Sequence, residues 1–133
     1  MKKTEEERAR MMRGFKRENT GPELVVRRLA HRLGYRFRLH RKDLPGRPDI
    51  VFASRKKVIF VHGCFWHSHG CALTRVPKRN LEYWIPKLTR NRARDVTNLR
   101  ELAKTGWSCL VLWECEIRAR EEDLLARLRG FLQ

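Results

Sequence analysis

The sequence lacks any long hydrophobic run, and it lacks the features of a secreted or repetitive protein. Its 133 residues contain no apolar segment near the roughly 20 residues that a helix needs to cross a bilayer, so a membrane-spanning protein is not expected. The N-terminal region has no apolar centre of the kind found in signal peptides, which favours a cytoplasmic protein with reduced cysteines. Repeats, low-complexity tracts and Gly/Ser linkers are also missing, and this length then predicts one compact domain.

The sequence has few acidic residues for its number of basic ones. It contains 15 Asp and Glu and 31 Lys and Arg, which gives a formal net charge of +16. A basic surface attracts phosphate backbones regardless of their sequence, so nucleic acid is the expected partner rather than a membrane surface. The charge-rich segment 1–19 has too few apolar positions for a core helix, and it could become ordered on DNA. We therefore divide the chain into a basic N-terminal segment, 1–19, and a domain over 20–133.

Hydrophobic periodicity predicts an α/β fold. The expected order is a helix over 22–33, strands over 35–39, 50–53 and 58–61, a helix over 81–104, a strand over 107–113 and a helix through 124–132. The strands over 50–53 and 58–61 form a hairpin with Asp49 at its open end. Pro86 leaves two options for the long helix, which either begins near Trp84 or Ile85 or kinks at the proline. This order predicts a central mixed sheet flanked by helices.

The segment from Val58 to Cys71, VIFVHGCFWHSHGC, carries most of the chemical signal. An apolar run leads directly into a loop dense in histidine and cysteine, which has no ordinary core explanation. In a reducing compartment, thiolates and imidazoles at this spacing favour a structural zinc site over disulfides or incidental cysteines. The expected ligands are Cys64, His69, Cys71 and, beyond the last strand, Cys115. His67 is an alternative to His69, and Cys109 is expected to be a small buried hydrophobe.

Asp49, His62 and His67 form a second group. A carboxylate with two histidines can hold Mg²⁺ and move a proton near neutral pH, as phosphodiester hydrolysis requires. Each residue also has a structural alternative, since Asp49 could end a turn and His62 could be a hydrogen-bonded histidine at the end of a strand. Glu23 completes the capping pattern that starts at Thr20, and on the residues alone that structural interpretation is the stronger one.

Aromatic residues form a third group, made of Phe65, Trp66 and Trp84. Basic side chains surround them in the sequence, namely Lys78, Arg79, Lys87, Arg90, Arg92 and Arg94. Such aromatics could stack on bases or wedge between them while the basic residues bind phosphates. They could equally cover the core, and the sequence pattern favours neither alternative.

These motifs resemble the very-short-patch mismatch repair endonucleases (Vsr), a branch of the restriction-endonuclease-like PD-(D/E)xK superfamily. The resemblance runs from about Thr20 to the C-terminal helix, through LPGRPDIVF, VIFVHGCFWHSHGC, EYWIPKLTRN and LVLWECEIR. It implies a single restriction-endonuclease-like domain, with a structural zinc site, that uses Mg²⁺. The implied reaction nicks the thymine strand 5′ of a T:G mismatch left by 5-methylcytosine deamination. The implied protein is prokaryotic, monomeric, cytoplasmic and associated with the nucleoid through double-stranded DNA.

The resemblance also implies roles for individual residues. Asp49 and the backbone carbonyl of Val61 would bind Mg²⁺, His67 would be the general base, and His62 and Glu23 would support catalysis. The implied zinc ligands are Cys64, His69, Cys71 and Cys115, the set also favoured by spacing. The residues implied to contact DNA are Phe65, Trp66 and Trp84, as wedges into the duplex, with Lys87 and Asn91 reading the mismatch.

The sequence departs from the family pattern at several positions. Val61 stands where the family usually has threonine, and Ser68 and Gly70 stand where histidines are common. The acid-x-Lys half of the superfamily motif is absent, and Phe60, Val61 and His62 take its place, which is the Vsr variation. Two other functions are kept as alternatives: a non-catalytic, zinc-stabilised DNA-binding domain, and an endonuclease of the same fold without mismatch specificity.

Overall fold

The computed structural model describes residues 20–64 and 80–133. Its elements are α1 (Gly21–Arg32), β1 (Arg38–Leu39), β2 (Ile50–Phe52), β3 (Lys57–His62), α2 (Leu81–Lys104), β4 (Ser108–Trp113), α3 (Glu114–Arg118) and α4 (Glu121–Leu132), with a 3₁₀ turn at Ala53–Arg55. In these two ranges no helix has both the length and the apolar character to cross a membrane.

The four strands form one mixed sheet in the order β1-β2-β3-β4. β2 pairs antiparallel with both β1 and β3, so the predicted hairpin is confirmed. β3 and β4 are parallel, with His62 opposite Trp113, and parallel neighbours require a long crossover. α2 lies in that connection. The predicted α/β fold with a mixed sheet flanked by helices is therefore confirmed for the described residues.

The sheet is covered on both faces, because its strands alternate side chains between two clusters. One cluster joins Ile50, Phe52 and Ile59 to residues of α1, α3 and α4, including Val26, Leu29, Ile117, Leu124 and Leu128. The other joins Val51, Val58 and Phe60 to Leu102 of α2. Near-continuous apolar runs such as 50–52 and 58–60 are explained by this burial from both sides.

Helix α1 begins as predicted. Thr20 is extended, and its hydroxyl oxygen accepts a hydrogen bond from the Glu23 N–H at 3.3 Å, which satisfies one of the first helical N–H groups. Gly34 follows the helix with φ +90°, a conformation that glycine adopts without steric cost. The helix spans Gly21–Arg32, one residue earlier at each end than the expected 22–33.

Two departures from the sequence predictions concern whole elements. The first strand covers only Arg38–Leu39 rather than 35–39, because Tyr35 and Phe37 pack edge-on against Phe52, with ring centroids 6.3 and 5.9 Å away, outside the ladder. α2 spans Leu81–Lys104, so the predicted range 81–104 is confirmed; of the two options left open for its start, the one near Trp84 or Ile85 is wrong, because Pro86 lies inside the helix. The short helix α3 was not predicted, since five residues are too few to show helical periodicity.

The turn before β2 fixes the approach to Asp49. The Arg47 N–H donates to the Leu44 carbonyl at 3.1 Å, with Pro45 and Gly46 between them. Gly46 has φ +78°, the conformation that the third residue of a type II turn needs. A Cβ added to Gly46 would lie 2.9–3.1 Å from side-chain atoms of Asn98 on α2. Glycine thus permits both the turn and its close approach to α2.

Candidate active site

One edge of the sheet collects most of the predicted functional residues that lie within the described ranges 20–64 and 80–133. β1 ends there, the antiparallel β2 begins there, and the parallel strands β3 and β4 both end there. His40 follows β1, and Asp49 directly precedes β2. Cys64 and Cys115 each lie two residues beyond the ends of β3 and β4. The topology therefore gathers residues that are far apart in the sequence.

Asp49 is held by the backbone of the neighbouring strand. The Val61 N–H donates to Asp49 Oδ2 at 2.7 Å. The pairing of β2 with β3 extends only to Ile50 opposite Ile59, so the Asp49 carboxylate lies beyond the last pair of the ladder. One carboxylate oxygen is fixed by this contact and the other can serve a cation. Val61, whose carbonyl is a predicted Mg²⁺ ligand, is thereby adjacent to Asp49.

Glu23 is buried in the first turn of α1, with 1% of its surface exposed. Its carboxylate accepts a hydrogen bond from Arg27 Nη2 one turn along the helix, and both oxygens lie within 3.0 Å of His40 Nε2. The main chain of Glu23 serves the Thr20 cap, whereas its side chain belongs to this cluster. The interpretation of the Glu23 carboxylate as half of a capping box is therefore wrong.

Glu23, His40 and Asp49 bring potential ligand atoms within 4.8 Å of one another. Two of the three are carboxylates, and Mg²⁺ prefers oxygen ligands. The imidazole of His40 suits transition metals better than Mg²⁺, and Arg27 Nη2 lies 3.4 Å from its Nε2. The chemistry of the cluster thus fits a Mg²⁺ ion on the Asp49 side, away from Arg27.

Burial raises the pKa of Asp49 to about 7. The Val61 N–H opposes this by stabilising the carboxylate, while the neighbouring Glu23 raises the pKa further by charge repulsion and a hydrogen bond; His40 lowers it. Two carboxylates in contact favour retention of a proton in the absence of a cation. A cation at Asp49 would compete with that proton.

We expect Mg²⁺ to raise the melting temperature more at about pH 8 than at about pH 5.5. With its pKa raised, folded Asp49 keeps a proton between about pH 4 and pH 7 that the unfolded chain releases. The contribution of Asp49 to the stability of the metal-free protein therefore falls as the pH rises through this range and levels off above about pH 7. Mg²⁺ would offset that loss by binding the ionised carboxylate. Thermal melts with and without Mg²⁺ measure the difference.

Asp49→Asn should remove the dependence of Mg²⁺ stabilisation on pH. Asp43→Asn is the matched control, because Asp43 forms an ion pair with Arg41 and its carboxylate is 62% exposed. That variant should behave like the wild type. Equal stabilisation of the wild type by Mg²⁺ at both pH values would contradict a raised Asp49 pKa at the metal site.

His62, a predicted supporting residue, is the last residue of β3 and is 6% exposed. Its ring meets the Trp113 ring edge-on, with centroids 5.2 Å apart, and lies 5.7 Å from that of Phe60. Alternation places His62 on the face of the sheet that carries Phe60, where α2 packs. Glu23 comes from α1 on the other face, so both faces contribute side chains near this edge.

Two of the four predicted zinc ligands meet at the same edge. Cys64 is fully buried, and its Sγ accepts a hydrogen bond from the Cys115 N–H at 3.4 Å. Cys115 lies in the first turn of α3. The described part of the site therefore agrees with the donor chemistry of a zinc site without completing the ligand set.

The predicted DNA-contacting residues of α2 lie on different parts of that helix. Trp84 is buried, with 6% of its surface exposed, and its ring meets that of Tyr83 edge-on at 5.0 Å. This placement fits the core-covering alternative, and insertion into a duplex would require Trp84 to become exposed.

Lys87 lines an open groove together with Arg90, Ala93, Arg94, Thr97 and Asn98. Asn91 accepts a hydrogen bond from Arg94 at 2.8 Å.

The remaining predicted site residues lie outside the described ranges 20–64 and 80–133. They are the proposed base His67, the zinc ligands His69 and Cys71, and the aromatic wedges Phe65 and Trp66. Their assignments stay predictions.

Sequence reasoning missed His40 and Arg27. The position of Arg27 four residues after Glu23 is the ordinary spacing of a helical ion pair, and this signal could have identified it. His40 lies 17 residues from Glu23, and the two meet only in the folded protein, where the helix that carries Glu23 packs against the sheet. The position of a histidine at the end of a predicted strand was the one available clue.

Comparisons with known proteins agree on one family. The family described as DNA mismatch endonuclease Vsr matches residues 2–73. The type II nicking enzyme V.XorIIP of Xanthomonas oryzae pv. oryzae is 54% identical over 127 residues, which cover 96% of this chain and 93% of the relative. The DNA mismatch endonuclease Vsr of Escherichia coli is 40% identical over 129 residues, with 94% and 83% covered. The chain therefore belongs to the Vsr family of DNA mismatch endonucleases.

Proposed function

We propose that this Vsr-family endonuclease nicks the thymine strand 5′ of a T:G mismatch, the product of 5-methylcytosine deamination, with Mg²⁺ as its cofactor. The observation that carries the proposal is the pair of carboxylates, Glu23 and Asp49, that meet at the sheet edge. Mismatch endonuclease and nicking activities in the names of the relatives support the same reaction class. The net charge of +16 supports DNA as the substrate.

Asp49 and the backbone carbonyl of Val61 are the proposed Mg²⁺ ligands. The bound ion would offset the charge that develops on the phosphate and lower the pKa of the attacking water. The Val61 N–H orients the Asp49 carboxylate, and partial burial limits the screening of its charge by solvent. Glu23 supplies two further acceptor oxygens that would orient water beside the phosphate.

His67 is the proposed general base, and His62 is proposed to hydrogen-bond the phosphate or its waters. Histidine suits both roles, because imidazole exchanges protons near neutral pH. His62 ends β3 at the edge of the sheet where Asp49 directly precedes β2. A lysine from the superfamily motif is therefore not needed at this position.

A structural Zn²⁺ ion is the second proposed metal. Cys64, His69, Cys71 and Cys115 are its proposed ligands, and the contact between Cys115 N–H and Cys64 Sγ supports the grouping. Such a hydrogen bond stabilises and orients a thiolate ligand. A closed site with four protein ligands would leave no position for substrate, so this zinc would act on folding rather than on the reaction.

The DNA is proposed to bind along α2 and the sheet edge. Lys87, Arg90 and Arg94 line one groove and would bind phosphates, while Lys87 and Asn91 would help read the mismatch. Phe65, Trp66 and Trp84 are the proposed wedges, since aromatic side chains can separate stacked base pairs. Trp84 would leave its buried position for this contact.

The proposal is tested with one duplex whose two strands carry different dyes. The T:G mismatch, the other mismatches and the correctly paired C:G control are each placed at the same position in a 5-methylcytosine methylation site, with Mg²⁺ in excess. We expect one nick, 5′ of the mismatched thymine, and cleavage of the C:G duplex slower by at least about 100-fold. Single-turnover rates are measured, because slow product release would otherwise hide the chemical step.

The same assay separates the alternative functions. Tight binding without a nick in either strand would favour a zinc-stabilised DNA-binding domain. Equal cleavage of C:G and T:G duplexes would favour an endonuclease without mismatch specificity. Either result would contradict the proposed function.

A further inference from the structure

We propose that His40, together with Arg27, positions the Glu23 carboxylate for the reaction at Asp49. The proposal deepens the proposed function and rests on it, because Glu23 and Asp49 are taken as parts of one active site. His40 would act through Glu23, without touching the reacting phosphate. It would be a positioning residue rather than a catalytic one.

Several contacts converge on the Glu23 carboxylate. His40 Nε2 lies 3.0 Å from Oε1 and 2.9 Å from Oε2, and Arg27 Nη2 donates to Oε2. A carboxylate that is 1% exposed needs such partners, because an uncompensated buried charge is costly. These contacts come from two directions, one along α1 and one from β1. They leave the carboxylate little freedom to rotate.

The backbone of His40 adopts an uncommon conformation and contacts Asp49. Its φ is +48°, in the left-handed region that few residues other than glycine occupy, although histidine is enriched there relative to most side chains. The His40 N–H donates to the Asp49 carbonyl at 3.2 Å. His40 therefore binds the main chain of one candidate carboxylate residue and the side chain of the other. It links the positions of Asp49 and Glu23 directly.

The surroundings of His40 Nε2 favour contact with Glu23 over direct binding of a metal ion. Arg27 Nη2 lies 3.4 Å from His40 Nε2, and a cation bound to this nitrogen would meet the guanidinium charge. The same nitrogen is already directed at both Glu23 oxygens. Mg²⁺ also prefers oxygen ligands over imidazole. The Asp49 side of the cluster is thus the better place for the ion.

The test is a double-mutant cycle between His40 and Glu23. His40→Asn keeps a residue that tolerates positive φ but is too short to reach Glu23, whereas His40→Gln restores a donor at about the reach of Nε2. His31→Asn is the matched control, because His31 is an exposed histidine near the end of α1. Each variant is measured on the strand-labelled T:G duplex with Mg²⁺.

We expect His40→Asn to lower the single-turnover rate by about 10–100-fold and to change the dissociation constant for DNA by less than about threefold. His40→Gln should recover most of the rate. In the Glu23→Gln background, His40→Asn should have almost no further effect, because the residue through which it acts is already altered. An unchanged rate in His40→Asn, or losses that multiply in the double variant, would overturn the proposal.

A second readout does not depend on nicking. The affinity of the DNA-free protein for Mn²⁺, measured by electron paramagnetic resonance, should weaken by about 10-fold or more in His40→Asn and recover in His40→Gln. If the wild type does not nick T:G duplexes, the proposed function fails, and Mn²⁺ affinity still decides the role of His40. If the wild type nicks and His40→Asn equals it in rate and affinity, the positioning proposal alone fails.

Discussion

Asp49→Asn is expected to reduce nicking of the T:G duplex by at least about 1,000-fold. The proposed cation contributes several kcal/mol of charge stabilisation in the transition state, and about 4 kcal/mol corresponds to a thousandfold in rate. The asparagine can still accept the Val61 hydrogen bond, so the fold at the sheet edge is kept. Single-turnover cleavage measures the rate, and fluorescence anisotropy in Ca²⁺ measures DNA binding.

Binding of DNA should change far less than the rate in this variant. Asp43→Asn provides the control, because it makes the same chemical change at an exposed carboxylate six residues earlier. Asp43→Asn should cleave at the wild-type rate. If Asp49→Asn cleaved as fast as Asp43→Asn, Asp49 would not be the central ligand, and the assignment of this sheet edge as the active site would be wrong.

Cys115→Ser is expected to lose zinc and stability together. Structural zinc contributes about 10–16 kcal/mol of apparent binding free energy in zinc-finger peptides, far more than one hydrogen bond. Cys115 contacts Cys64 across the ends of two parallel strands. Loss of the ion would therefore remove a link between the strand ends at the sheet edge of the proposed active site. Elemental analysis of the purified protein measures zinc, and urea unfolding measures the free energy of unfolding.

Cys109→Ser separates zinc binding from the general cost of replacing a cysteine. Cys109 lies in β4 and is half-buried, and burial raises the pKa of its thiol. This variant should keep about one zinc ion per chain. Wild-type protein without zinc, or Cys115→Ser with a full complement of it, would refute the site.

Much of the fold follows from local patterns in the sequence. Apolar runs bounded by turn residues predict β2 and β3, and the Leu44–Pro48 turn places Asp49 at the open end of their hairpin. Both core clusters then follow from strand alternation. α3 was missed because its five residues adopt a helix only where β4 ends. The start of α2 was uncertain because Pro86 ordinarily marks a first turn, whereas here it lies inside the helix.

The candidate site was only partly predictable for a different reason. Asp49 and Cys64 stand at strand ends that periodicity alone locates. The direction of the Glu23 carboxylate cannot be read from a capping pattern, because a first-turn glutamate can turn towards the cap or away from it. The position of His40 depends on a left-handed backbone conformation and on strand pairing, and the sequence pattern indicates neither of them. The sequence therefore predicted Glu23 and Asp49 as site residues, but it did not predict that Arg27 and His40 contact the Glu23 carboxylate.

Strand-resolved cleavage of a T:G duplex by the wild-type protein with Mg²⁺ tests the central claim most directly. One nick is expected, in the thymine strand and 5′ of the mismatch, with the guanine strand intact. It should require Mg²⁺ and should be at least about 100-fold slower when the position is paired as C:G. Cleavage of both strands, cleavage of the paired duplex at the same rate, or binding without cleavage under these conditions would contradict the account.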